Sequence, residues 1–225
     1  MSLIIKKYDY TTLKKTSVNG KRLYQVPTGN PLPSVTTILD STKDKTHLYE
    51  WRRRVGEKKA QEITTEASNV GTRMHKCLEN FIDTGVWPKV GSNPYAIQAN
   101  AMAKVIQENA FNSISEILGS EVNLWVPNLY AGTTDLVCTY KNNLAICDFK
   151  QTNKPKKQEW VEDYYLQLVA YAEAHNELFH TQIKEGHIFM CSRNLEYQQF
   201  DLTAQDYKKW RSIWYDRLHT FYENY

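Results

Sequence analysis

The chain has 225 residues, 41% of them hydrophobic and 24% charged, which suits one domain, or one domain with an insertion, and excludes global disorder. The formal net charge of +3 permits a nucleic-acid partner without demanding one, so the placement of cations matters more than their sum. No run of about eighteen apolar residues is present, and MSLIIKKYDY lacks the apolar centre of a signal peptide, so neither a membrane span nor secretion is expected.

Residues 11–26, TTLKKTSVNGKRLYQV, read as a β-hairpin, because Asn19-Gly20 supplies the positive φ values of a tight turn between strand formers. PTGNPLPSV reads as loop. Ser34 or Thr36 then caps a helix through VTTILDSTKDKTHLYEWRRRVGEKKAQE, with a break near Lys43 to Thr46. A second helix is expected from Val70 to about Asp83, stopped by Gly85 and Pro88, and a third from after Pro94 to about Leu118, ended by Gly119. The period then changes. EVNLWV (121–126), TTDLVCTY (133–140) and LAICDFK (144–150) read as strands, the last two joined as an antiparallel hairpin by Lys141-Asn142-Asn143. Residues 158–178 form an amphipathic helix with Tyr164, Leu168, Tyr171 and Ala172 on one face. HIFMC (187–191) is a further strand, LEYQQFDL follows it, and a terminal helix covers roughly 203–222 with Tyr207, Trp210, Ile213, Trp214, Leu218 and Phe221 inward. The order is that of an α/β core with a mixed sheet.

Cys77, Cys138, Cys147 and Cys191 form no CxxC pair, and three of them lie in apolar runs. They read as buried thiols in a reducing compartment. A cytoplasmic setting, in a bacterium or a phage-infected host cell, is the corresponding expectation.

The chemistry is concentrated in AGTTDLVCTYKNNLAICDFKQT, residues 131–152, where two apolar runs each reach an aspartate. A carboxylate at a strand end must be paired, hydrogen-bonded or bound to a metal. Asp135 and Asp148 fall on neighbouring strands in a plausible hairpin register, so their side chains converge. A divalent cation relieves the repulsion, and oxygen ligands favour Mg²⁺ or Mn²⁺ over zinc. Lys150 is two residues from Asp148 and shares its face. An ammonium there positions a metal-bound water or stabilises charge on a phosphoryl oxygen, as phosphodiester hydrolysis needs. On spacing alone DxK is common by chance, and a structural ion pair is the stronger reading.

Three further features shift that balance. His75 and Glu79 share one face of the second helix. Gln167 and Tyr171 stand one turn apart on the helix that follows the DFK strand. Gly132 precedes Asp135 where a close backbone approach is needed.

GTRMH with His75, GTTD with Asp135, DFK with Asp148 and Lys150, and Q-x3-Y with Gln167 and Tyr171 together resemble the PD-(D/E)XK nuclease superfamily in its RecB-like branch, over about residues 70–191. The resemblance implies an α/β, restriction-endonuclease-like core, an αβββαβ mixed sheet flanked by helices, with an N-terminal hairpin and a helical insertion. Upstream, NGKRLYQVP, PLPSVTTIL, EWRRR and GTRMHKCLE resemble the mitochondrial genome maintenance exonucleases and related phage-encoded exonucleases. That resemblance implies cleavage of single-stranded DNA from a free end, in replication, recombination or repair.

The resemblance also implies roles. His75, Asp135, Asp148 and the backbone carbonyl of Phe149 ligate Mg²⁺ or Mn²⁺. Lys150 activates the attacking water, and Gln167 holds the Lys150 region. Tyr171 supports that face and is counted among the DNA contacts, and Glu79 backs His75. Two departures stand out: the second acid is Asp148 rather than the commoner Glu, and Gln151 follows the lysine where Thr is common. Relatives with an iron–sulfur cluster hold it partly with closely spaced C-terminal cysteines. Cys191 stands alone there, so no cluster is expected.

Single-stranded DNA is the expected partner, with a monomeric protein and no membrane. Trp51 with Arg52, Arg53 and Arg54 joins an aromatic platform to three guanidiniums, and Lys154, Lys156 and Lys157 follow the DFK strand. Arg73 is grouped with them, and Ser34 and Thr36 sit at a helix N-terminus suited to a phosphate. The division expected is 1–69 as hairpin and helical arch, 70–191 as nuclease core, and 192–225 as C-terminal strand and helix. Two other readings remain open. One is an exonuclease of double-strand ends or a structure-specific endonuclease of the same superfamily, and the other is an inactive DNA-binding module.

Overall fold

The computed structural model describes residues 1–224. A three-stranded sheet comes first: β1 (Lys14–Val18), β2 (Lys21–Gln25) and β3 (Leu32–Pro33), all antiparallel. Asn19 and Gly20 take φ of 51° and 76° at the β1–β2 turn, as the Asn-Gly pair dictates. The short β3 falls in the stretch expected to be loop. Leu32 and Pro33 pair with Tyr24 and Leu23, which brings Leu32 into a small core with Leu13, Tyr24 and Val26.

Three helices follow, α1 (Val35–Thr42), α2 (Thr46–Val55) and α3 (Glu57–Thr84). The break at Lys43–Thr46 is present. A second break falls at Gly56, whose φ of 84° ends α2. From there one 28-residue helix runs to Thr84, so the expected gap between residues 62 and 70 is helical. The C-terminal half is docked through Val70, Met74, Leu78 and Ile82, whereas Ala60 is the one buried residue in the first half. Tertiary docking of one half of a helix carries the poorer helix formers ITTEASN with it. Helix α2 buries nothing. Helix α1 is different: Val35, Ile38 and Leu39 belong to the main core, so the projecting piece is α2 with the start of α3 rather than all of 34–69.

Helix α4 (Pro94–Ala110) starts on Asn93, whose side chain accepts from the amides of Tyr95 and Ala96, and ends earlier than expected. Residues expected in its last turns are instead strand, because β4 (Ile114–Val126) runs thirteen residues, with register shifts beside Ile114 and Gly119. Ile114, Ile117 and Leu118 carry helical spacing in the sequence, but pairing with β5 (Tyr130–Tyr140) outweighs it. β6 (Asn143–Thr152) returns through Lys141 and Asn142, both with positive φ. α5 (Glu162–Phe179) then crosses to β7 (Glu185–Ser192), parallel to β6, and β8 (Tyr197–Leu202) and α6 (Tyr207–Asn224) complete the chain.

The main sheet has the order β4-β5-β6-β7-β8 and is mixed, with β6–β7 its parallel pair. Helices α3 and α4 cover one face, over Met74, Leu78, Met102, Ile106, Leu136, Cys147 and Phe149. Helices α1, α5 and α6 cover the other. Helix α5 is buried nearly all round rather than along one stripe, since it lies between the sheet and α6. Each of Leu166, Leu168 and Val169 is fully buried and contributes about 2 kcal/mol. Trp214 on α6 meets Tyr130 edge-on at 5.0 Å, and the Tyr130 hydroxyl donates to the Ala170 carbonyl at 3.0 Å. Trp210 and Ile213 pack at the margin of that core. Cys138, Cys147 and Cys191 are buried free thiols, with the Cys138 and Cys147 sulfurs 3.5 Å apart. No helix among the described residues is long and apolar enough to cross a membrane.

Candidate active site

β5 and β6 pair from Tyr140↔Asn143 to Leu136↔Cys147 and then part. The site occupies that divergence. Side chains alternate along β6, with Ile146 on the α5 face and Cys147 and Phe149 on the α3 face. Asp148 and Lys150 therefore share the α5 side, as their spacing predicts. Past the last paired residues, the amide of Phe149 donates to Asp135 Oδ2 at 2.7 Å, so a side-chain carboxylate replaces the missing ladder acceptor.

His75 reaches the same place from the docked half of α3, with Nδ1 3.2 Å from Asp135 Oδ1. Lys150 is paired with Asp148 and also donates to Gln167 Oε1 at 3.2 Å, and its ammonium lies 5.0 Å from the Tyr164 ring centre. His75, Asp135, Asp148, Lys150 and Gln167 line one cavity of about 530 Å³ with Gly71, Thr72, Glu79, Glu121 and Thr133.

The electrostatics are those of a tightly coupled set. Burial works against charge on His75, but the adjacent Asp135 outweighs it and raises the imidazole to about 9. Burial likewise opposes ionisation of Asp135, yet His75, Lys150 and the Phe149 amide hold its carboxyl below the ordinary range. Asp148 moves the other way. Burial, reinforced by the Asp135 charge and opposed by Lys150, raises it to about 6. Desolvation disfavours the Lys150 cation, but the two aspartates raise its pKa all the same. The result is two carboxylates pushed apart in acidity by their surroundings.

One ligand in reach was not legible in the sequence. Glu121, in β4, takes a φ of 50°, and a carboxylate oxygen of Glu121, a ring nitrogen of His75 and an oxygen of Asp135 all lie within 4.8 Å of one another. An imidazole and two carboxylates at that spacing fit a divalent cation. Burial first, then the charge of Asp135, raises the Glu121 carboxyl. Glu121 lies between Ser120 and Val122, which pair with Leu136 and Thr134, and no local motif marks it. Two other side chains the sequence did not single out, Tyr24 and Thr133, tie the small sheet to the strand bearing Asp135, hydroxyl to hydroxyl at 3.0 Å.

Other expected residues fall differently. Glu79 lines the cavity but bonds Lys76 at 2.7 Å, not His75. Tyr171 is 2% exposed and lies against the Gly132 backbone, so it offers no face to a base. Ser34 is buried as the cap of α1, its hydroxyl accepting from the Thr37 amide at 3.0 Å, while Thr36 is exposed at the cavity rim. Trp51, Arg52, Arg53 and Arg54 on α2, and Arg73 on α3, are not among the cavity-lining residues. Arg52 is held by Glu57. Lys154, Lys156 and Lys157 also stand apart from the lining, on a loop fastened to β8 through Gln198, which bonds the Lys156 amide and carbonyl.

No family model matches the chain. The chain is similar to mitochondrial genome maintenance exonuclease 1 of Homo sapiens, 25% identical over 80% of this chain and 56% of that protein. It is equally similar to the protein of the same name from Xenopus tropicalis, 25% identical over 93% of this chain and 63% of the relative. The chain thus spans between half and two-thirds of the length of the curated relatives it matches. Among solved structures, one described as the crystal structure of SSO0001 aligns with 81% of this chain and 74% of that chain, with a TM-score of 0.40 and 12% identity.

Proposed function

We propose that the chain is a divalent-metal-dependent exodeoxyribonuclease of the PD-(D/E)XK type, RecB-like, that removes nucleotides from a free end of single-stranded DNA. The observation that carries this reading is the convergence in one cavity of a His75–Asp135 pair and a Lys150 held between Asp148 and Gln167. A purely structural ion pair needs neither a second buried acid nor a histidine at its side. The exonuclease names of the relatives support the reaction class.

In this reading His75, Glu121 and Asp135 hold Mg²⁺ or Mn²⁺, with Asp148 and the Phe149 carbonyl able to add oxygens. Such an ion supplies an activated water and polarises a phosphoryl oxygen. The chain's own groups do the positioning. Lys150, kept cationic by its two aspartates, donates to the water or to the phosphoryl oxygen that gains charge. Gln167 fixes the ammonium by accepting from it. Asp135, tied to the Phe149 amide, keeps its second oxygen directed at His75. The β1–β2 ribbon and an arch of α2 with the start of α3 flank a core that runs over 70–191 and takes in α1, with 192–224 closing the far side of the sheet.

The test compares linear with closed-circular single-stranded DNA in Mg²⁺ or Mn²⁺, with EDTA and Lys150→Ala as controls. Loss of only the linear strand is expected. Cutting of circles makes the protein an endonuclease, and preference for duplex ends moves it to the double-strand class. Lys150→Ala matching wild type on every substrate removes Lys150 from the chemistry.

A further inference from the structure

The nine residues KKTSVNGKR, Lys14 to Arg22, carry four cations and no acid. They form the β1–β2 ribbon, and every residue of β1 is exposed. Beside the ribbon runs a trough of about 1040 Å³, walled on the other side by α1, the α1–α2 connection and the start of α2. Lys15, Arg22 and Thr36 line both this trough and the catalytic cavity, so the two spaces adjoin at these side chains.

We propose that this trough is the track along which a single nucleic-acid strand runs to or from the scissile phosphate. The inference rests on the nuclease reading of the cavity. Lys43 is matched by Asp163, and Lys45 by Asp40 at 2.9 Å. Lys15 and Arg22, at the junction with the cavity, have no carboxylate within ion-pair distance among the described residues. With Lys21, which also lines the trough, they give its ribbon wall three cations for phosphates to run along. Tyr49, 64% exposed, stands at the α2 end of the trough, where an unstacked base can lie on its ring. A duplex keeps its bases stacked inside and gives Tyr49 nothing to hold, so the track takes a single strand. The ribbon is also fixed relative to the site. The Arg22 amide donates to Thr37 Oγ1 at 3.2 Å, and its carbonyl accepts from the Ser34 amide at 3.0 Å.

The test uses the full chain in EDTA, so that nothing is cleaved, and labelled oligo-dT of increasing length, followed by fluorescence anisotropy. Wild type, Lys21→Ala/Tyr49→Ala and Lys14→Ala are compared. Lys21 and Tyr49 line the trough but not the cavity, and Lys14 lies on the ribbon outside both. Wild-type affinity should rise with length until the trough is filled. The double variant should bind long oligonucleotides about tenfold more weakly, lose the length dependence, and lower the salt slope by about 0.7. Lys14→Ala should follow wild type. In a separate assay with Mn²⁺ and no EDTA, hydrolysis of bis(p-nitrophenyl) phosphate, which needs only the cavity, should survive in the double variant and vanish in Lys150→Ala. Unchanged length dependence and salt slope in a double variant that still hydrolyses the small diester would remove the trough and leave the nuclease reading standing. Equal affinity of wild type for duplex of the same length would overturn the single-strand track. A wild type that neither binds oligonucleotides nor hydrolyses the diester would bring down the nuclease reading, and the trough with it.

Discussion

Gly132 and Tyr171 leave no room for a single extra carbon: a Cβ on Gly132 would stand 2.6 Å from Tyr171 Cε1 and 2.9 Å from its hydroxyl oxygen. The ring is fully packed, and Gly132 lies three residues before Asp135. Gly132→Ala should therefore destabilise the fold by about 1–3 kcal/mol, the usual range for overpacking. Urea unfolding measures this. A cycle with Tyr171→Ala should show strong coupling, because removing the ring removes the clash. Additive effects would mean the backbone yields elsewhere.

Glu121 should behave as a metal ligand. Mn²⁺ titrated calorimetrically into Glu121→Gln should bind about tenfold more weakly than into wild type, a loss of about 1.4 kcal/mol. His75→Ala and Asp135→Asn should lose more. In wild type, Mn²⁺ at about a hundred times its Kd should add about 2.7 kcal/mol of stability, removed again by EDTA. Glu121→Gln with wild-type affinity would return the ligand set to His75, Asp135 and Asp148.

His175 should make the fold acid-sensitive. Its ring is fully buried between Tyr8, Tyr10 and Phe179, bonded to the Tyr10 hydroxyl at 3.1 Å and to Thr181 Oγ1 at 2.8 Å. Burial lowers its pKa from 6.5 to about 4. Between those values the unfolded chain binds the proton and the folded chain does not, so stability rises with pH across the window. As pH falls through it, this one group should remove roughly 3 kcal/mol. Denaturation at pH 7 and pH 4.5 should show a smaller drop for His175→Phe than for wild type. Equal drops would show that the ring takes up its proton without unfolding.

Ser34→Ala should cost about 1 kcal/mol through loss of the α1 cap, measured by thermal melting. Because the hydroxyl is buried and engaged with Thr37, oligonucleotide affinity should change less than twofold once stability is matched. A larger loss of affinity would restore Ser34 to the phosphate path.

Local chemistry was legible and long-range geometry was not. Asn19-Gly20 and Lys141-Asn142 encode their turns within a few residues, and the spacing of Asp148 and Lys150 fixes their shared face. His75 and Asp135 were readable as motif residues, although 60 positions apart, but nothing local states that their side chains touch. Glu121 depended on the pairing of β4 with β5, which sets it across from the Asp135 region and which no local pattern announces. The overrun of α4 into residues 114–118 has the same origin, since apolar spacing at Ile114, Ile117 and Leu118 suits a helix until β5 is there to pair with. The arginines of α2 have the composition of a DNA contact, and the structure places them outside the cavity lining; the ribbon reads as an ordinary hairpin until its neighbours are known.

The unbroken length of α3 makes it a lever. Its outer half carries α2 and is tied to the core by Glu66, which meets Arg193 at 2.7 Å, and by the Ala67 carbonyl, which accepts from Gln151 at 3.1 Å; its inner half carries His75, and at Gly71 it lies against β6, a Cβ there standing 3.2 Å from Gln151. From Glu57 to His75 the helix spans roughly 27 Å. A rigid rod cannot be displaced at one end alone. The helix therefore joins α2 to the imidazole in one piece, and the separation of His75 Nδ1 from Asp135 depends on where that whole helix lies against the sheet.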